Sequence, residues 1–373
     1  MLSWIAALLI GILSAHLAQR LCFPYFWKDA LYLMKVIRYG ARLEICKRTS
    51  KIVTVIDRFV QQAQRIPEKP FVIYEGVTYT YGELEERSNR VARVFQDAVN
   101  KGDTVALFMS NEPDFIAVWF GFCKLGCAVA FLNTNIKPRS LLHCFNCCGA
   151  KLLVVGADLL DTLEDILPSL LEDSITVWCM NRASSRPDVH SLLDKIEKAS
   201  HEPISAERRS VACLKTPTLY IFTSGTTGLP KAAVITHLQS LKAAGGFWAY
   251  GGTGSDVIYT PLPLYHSAAS LVGIGGTIEL GATCVLKKKF SASQFWNDCR
   301  KHNVTIFQYI GELCRYLCNQ PVDISVSHNL SKISLCPSSN TARTVTPYSS
   351  MCSLLTHQCA RSANTQNITV TGT

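Results

Sequence analysis

The stretch "TSGTTGLPK", residues 223–231, sets four hydroxyls, two glycines and a closing lysine between two apolar runs, "TLYIF" and "AAVI". Such a loop can wrap backbone N–H groups and the hydroxyls of Thr223, Ser224, Thr226 and Thr227 around phosphate oxygens. Gly225 and Gly228 permit close backbone approach, and Lys231 adds positive charge. It is not a Walker A loop, which ends in Gly-Lys-Ser/Thr. The plain alternative is a strand-to-strand turn, but the closing Pro-Lys between two strand-like runs favours phosphate. A second cluster, "HCFNCC" at residues 143–148, invites a metal reading. It lacks a partner pair at finger spacing, so no metal site is expected, and the cysteines read as core residues of a helix.

The elements around the loop alternate. "PFVIYEGVTYTYGELEERSNRVARVF" reads as two strands about Glu75-Gly76, then a helix with Thr80 and Glu83 as a capping box. "DTVALFMS" is a buried strand. "FIAVWFGFCKLGCAVAFLN" divides at Gly126 into a helix and a strand rather than a membrane span, because Lys124 interrupts it. "KLLVVGAD", "ITVWCMN" and "VTIFQYI" are further strands, and "SLLDKIEKA" and "ASQFWNDCRKH" are helices. This alternation predicts an α/β fold with mostly parallel sheets.

With 373 residues, 48% of them hydrophobic, the chain can bury a large core. Its net charge of +9 is densest among Arg20, Lys28, Lys35, Arg38, Arg42, Lys47, Arg48 and Lys51. No nucleic-acid reader accompanies that charge, so nucleic acid is excluded as a partner and a membrane surface fits better. Just upstream, residues 2–18, "LSWIAALLIGILSAHLA", carry no formal charge and approach the length of a spanning helix. The expectation is an uncleaved N-terminal transmembrane helix (residues 1–21) and a basic juxtamembrane segment (residues 22–52). By the positive-inside rule the protein is single-pass with its bulk cytosolic. The membrane is the plasma membrane or endoplasmic reticulum.

"YIFTSGTTGLPKAAVITH" resembles the signature of the adenylate-forming superfamily. With "YTYGELEERSNRVA", "LPLYHSAA" and "KKKFSASQFWNDCRKHNVTIFQYIGELCRYLCN", the chain resembles the fatty acid transport proteins, which are also very long-chain acyl-CoA synthetases. The resemblance runs to about Asn319. It implies an adenylate-forming, acyl-CoA synthetase-like large domain over residues 53–319 that activates long-chain and very long-chain fatty acids with ATP, Mg2+ and CoA, coupled to fatty acid uptake. Carried over residue by residue, it makes Tyr220, Ile221, Phe222, Thr223, Ser224, Gly225, Thr226, Thr227, Gly228, Leu229, Pro230 and Lys231 the nucleotide segment. Tyr265 and His266 fall beside the adenylate and acyl pocket, and Tyr309, Gly311 and Glu312 along the acyl channel. His266 reads equally as a structural histidine.

Several family parts are missing: the Thr-Glu motif that helps bind magnesium, the Gly-Asp segment that holds the ribose, the hinge arginine and the C-terminal lysine. Residues 320–373 read as low-complexity tail without strand character. The large domain is therefore expected to be incomplete, with an open sheet edge after residue 319. Two readings follow: the family ligase, or a truncated splice or frameshift product that is an inactive membrane-anchored fragment. Either could form a homo-oligomer or associate with full-length relatives.

Overall fold

The structure is a computed structural model that describes residues 2–23, 25–48, 53–184, 186–211, 213–223, 228–309, 311–320 and 332–335. It divides into two units, Met1–Lys51 and Ile52–Thr373. The first contains helices α1 (Leu2–Cys22) and α2 (Phe26–Arg48). α1 covers the segment for which the sequence predicts an anchor. Among the described residues, however, no helix is long and apolar enough to cross a membrane. Trp4, Leu9, Leu13 and Leu17 of α1 and Trp27, Leu33 and Ile37 of α2 are all exposed.

The second unit opens with α3 (Val55–Arg65), then β1 (Pro70–Tyr74) and β2 (Val77–Thr80), an antiparallel pair that turns at Glu75-Gly76. Thr80 and Glu83 close the expected capping box of α4 (Tyr81–Phe95): each side chain accepts the other residue's backbone N–H. Next come β3 (Thr104–Phe108), α5 (Pro113–Lys124), β4 (Ala128–Phe131), α6 (Pro138–Cys148), β5 (Leu152–Gly156), β6 (Thr176–Met180) and β7 (Val189–Ser191). β8 (Pro217–Thr223) and β9 (Lys231–Thr236) flank the hydroxyl-rich loop. These strands form a sheet in the order β7-β6-β5-β3-β4-β8-β9, parallel except for the β8–β9 pair. Every residue of β3, β4 and β5 is buried, which is why those strands read as continuous apolar runs rather than alternating ones.

α4 and α5 cover this sheet around one buried cation. Lys124 Nζ meets Glu85 Oε2, Ser88 Oγ and Asn89 Oδ1, each at 2.7 Å. Burial lowers its pKa to about 8. The ion pair explains how a lysine tolerates an otherwise apolar helix face.

A second sheet has the order β13-β12-β10-β11-β1-β2, built from β10 (Val257–Thr260), β11 (Thr283–Leu286), β12 (Ile306–Tyr309) and β13 (Lys332–Leu335). It is parallel apart from β1–β2. Between β10 and β11 lie a π-helical stretch, Ala268–Ile274, and a helix, Gly275–Leu280. Glycines obscure these helices in the sequence, and packing requires one of them. A Cβ on Gly276 would stand 2.4 Å from Phe247 Cδ2.

The structure differs from the sequence expectation at the far edge. β13 lies within residues 320–373, read as lacking strand character, and pairs with β12 in parallel from Ile306↔Lys332 to Tyr309↔Leu335. "KISL" alternates over four residues only, too short for a period to register. Its pairing comes from the waiting edge of β12. The rest of that tail, residues 321–331 and 336–373, lies outside the described residues.

Candidate functional site

The candidate residues gather beyond the carboxyl ends of parallel strands, where ligands bind in open α/β sheets. β8 delivers the hydroxyl-rich loop. Its core contribution comes first: Ile221 is buried, and Tyr220 and Phe222 pack against the cluster containing Phe108, Ala130 and Phe145. These three nucleotide-segment residues therefore hold the loop's base. Thr223 and Lys231 are cross-strand partners at the mouth, both exposed, with Thr223 Oγ1 donating to Lys231 O at 3.5 Å. Gly228 has φ +91°, and a Cβ there would meet nothing within 4 Å, so the backbone lies bare at that turn. Leu229 is exposed. Pro230 O is 3.1 Å from His143 Nε2 of α6. Ser224, Gly225, Thr226 and Thr227 lie outside the described residues.

Tyr265 and His266 follow β10. Asn135, in the loop after β4, donates from Nδ2 to the Tyr265 hydroxyl at 3.3 Å. β4 is the parallel neighbour of β8, so this bond brings the β10 turn toward the strand end that carries the loop. His266 stands at the start of the π-helical stretch. Its Nδ1 accepts the Ala268 N–H at 3.3 Å, and its carbonyl accepts from Ala269 N, Ser270 N and Ser270 Oγ. Burial lowers its pKa, which favours the neutral ring. With Nδ1 accepting, the proton sits on Nε2, leaving one hydrogen bond to donate. Nδ1 of His266 thus serves a local cap, and Nε2 keeps one N–H to donate.

Tyr309 ends β12, its ring stacked on Phe307 with centroids 5.8 Å apart, and Gly311 opens the helix Gly311–Cys318. Nothing is described of the Glu312 side chain. The link between β12 and the His266 turn runs through Gln308, whose Nε2 donates to Ala268 O at 2.7 Å.

Sequence reasoning missed a residue that ties the two sheets together. Buried Asn111, just after β3, donates from Nδ2 to Leu262 O at 2.8 Å and Lys287 O at 3.0 Å. Its Oδ1 accepts Leu264 N–H at 2.7 Å. One amide thereby spans from the first sheet to the segments leaving β10 and β11. The neighbouring Glu112 is pushed up to about 7, chiefly by burial and then by Asp114 and Asp158. Asp158 itself meets Ser110 Oγ and, at 3.5 Å, Lys288 Nζ. An Asn beside a buried strand carries no local signal of these roles.

The chain matches the model of the AMP-binding enzyme family over residues 59–347. It belongs to that family. The family match continues beyond Asn319, where the resemblance read from sequence stopped. Long-chain fatty acid transport protein 6 of Mus musculus is 57% identical over 323 residues, which are 86% of this chain and 52% of that protein. The Homo sapiens protein of the same name is 56% identical over 322 residues, with the same coverage of 86% and 52%. The chain spans about half the length of these relatives. Among solved structures, the anthranilate CoA ligase AuaEII in complex with anthranoyl-AMP aligns with a TM-score of 0.67 at 20% identity, covering 76% of this chain and 54% of that one. At that identity the likeness shows the fold alone, an α/β architecture of mostly parallel sheets.

Proposed function

We propose that this AMP-binding family member carries the nucleotide- and acyl-binding half of a ligase that activates long-chain and very long-chain fatty acids with ATP and CoA, coupled to their uptake. The observation that supports the reading is that Asn135 and Asn111, in the loops after β4 and β3, tie the turn carrying Tyr265 and His266 to the sheet in which β8, the neighbour of β4, carries the hydroxyl-rich loop. In this reading the backbone and hydroxyls of residues 223–228 hold phosphate, and Lys231 balances its charge. His266 offers a neutral N–H donor, and Tyr309 and Gly311 line the acyl path.

Adenylation sets a carboxylate oxygen in line with the α-phosphorus while cations stabilise the charge that develops. Among the described residues no group of three His, Cys, Asp or Glu could hold a metal ion, so no step is assigned through Mg2+. The ribose-binding aspartate, the magnesium-binding acid and the adenylating lysine of the resemblance have no counterpart in these residues. A second reading is that this stretch of chain binds nucleotide or fatty acid without by itself completing the reaction.

ATP photolabelling and fatty-acid-dependent pyrophosphate exchange separate these readings. Labelling that disappears in Thr226→Ala/Lys231→Ala supports the loop, and unchanged labelling moves the site elsewhere. Exchange by the isolated chain at rates near those of a full-length relative would overturn the inactive reading.

The exposed apolar side chains of α1 and the basic residues of α2 support membrane attachment. Deleting residues 1–19 should release the protein from carbonate-washed membranes. Retention there would rule out α1 as the sole anchor.

A further inference from the structure

Four residues apart on α6, His143 and Cys147 share one face of the helix, and Cys147 Sγ lies 3.3 Å from His143 Nε2. The same nitrogen is 3.1 Å from Pro230 O, in the closing limb of the hydroxyl-rich loop. Cys144 and Cys148 of this helix are buried, whereas Cys147 is exposed. Nε2 thus stands between a thiol that can donate and a carbonyl that can only accept. It can take the thiol proton or give its own to Pro230, but not both at once.

We propose that Cys147 and His143 form a thiol–disulfide exchange site whose state is passed to the loop through the Pro230 carbonyl. The nucleophile in such an exchange is the thiolate, and the group within reach of the Cys147 S–H to take its proton is the His143 imidazole. His143 Nε2 takes the Cys147 S–H proton, and the thiolate attacks one sulfur of a low-molecular-weight disulfide. A new S–S bond forms as the old one breaks, and the departing thiolate is protonated by the Nδ1–H of the imidazolium, which leaves the ring neutral with its remaining proton on Nε2. One disulfide is consumed and one is made. The modified sulfur has no S–H to offer, which commits Nε2–H to Pro230 O and tightens the loop's closing limb.

The probe is glutathione disulfide added to the whole chain, with modified cysteines mapped by peptide mass. Cys147 should react about tenfold faster than Cys213, which is also exposed and serves as an internal control. His143→Gln should slow Cys147 about tenfold and leave Cys213 unchanged. Modification should slow amide hydrogen exchange at Leu229 and Lys231 in the unsubstituted protein, and not in Cys147→Ser. Equal rates at the two cysteines, no effect of His143→Gln, or unchanged exchange at Leu229 and Lys231 would each overturn the proposal. The link to nucleotide binding rests on the phosphate reading of the loop, but none of these readouts uses nucleotide. Failed ATP photolabelling therefore counts against that reading alone.

Discussion

The Asn135 amide donates to the Tyr265 hydroxyl at 3.3 Å, joining the loop after β4 to the turn after β10. The pair is exposed, so its worth to folding is small, while its position between the two candidate ligand loops is not. Tyr265→Phe removes the acceptor and little else. Stability in urea should change by less than about 1 kcal/mol, and affinity for a long-chain fatty acid should fall several-fold. Unchanged fatty-acid affinity would remove Tyr265 from the site.

Asn111 makes a contrasting prediction because it is buried and its three partners are backbone groups. Asn111→Ala strands two carbonyls and one N–H away from water, at about 1–3 kcal/mol for each group left unsatisfied. A loss of at least about 3 kcal/mol in chemical unfolding is expected. A loss below about 1 kcal/mol would mean the sheets are held together elsewhere.

Glu112 should make stability depend on pH in an unusual direction for a carboxyl. Its folded pKa, about 7, lies above the ordinary glutamate value of 4.5, so the folded state holds the proton longer than the unfolded chain does. The stabilising contribution is complete below pH 4.5 and is lost as pH rises to about 7. For a partly exposed group it amounts to on the order of 2 kcal/mol. Glu112→Gln should flatten this part of the stability profile, as measured by urea midpoints between those two pH values. An unchanged slope in the variant would assign the effect to another group.

Lys124 tests the buried joint between α4 and α5. Lys124→Met leaves the Glu85 carboxylate without its cation and should cost about 3–5 kcal/mol. Lys124→Met/Glu85→Leu should recover much of that loss, because two apolar side chains replace a buried pair. A double variant as unstable as the single one would show that packing, not charge, is limiting.

Much of the fold was legible because its determinants are local. Strand β3, the capping box of Thr80 and Glu83, and the division of "FIAVWFGFCKLGCAVAFLN" at Gly126 are all written within a few residues of where they act. The strand-like runs on either side of residues 223–231 were legible for the same reason, and they are β8 and β9. Periodicity failed where it was too short, at Lys332–Leu335, or interrupted by glycine, at Ala268–Leu280.

What only tertiary structure decided are relationships between distant positions. Asn111 reaches a carbonyl 151 residues away, and Asn135 a hydroxyl 130 residues away. His143, read in sequence as part of a rejected metal cluster, instead meets a carbonyl of the loop. Tyr220, Ile221 and Phe222 belong to the nucleotide segment by resemblance, yet they serve it from the core. A side chain's type and neighbours in the chain state which hydrogen bonds it can make. Which it does make depends on what the packing of two sheets brings within about 3 Å, and that distance is set by residues far along the chain.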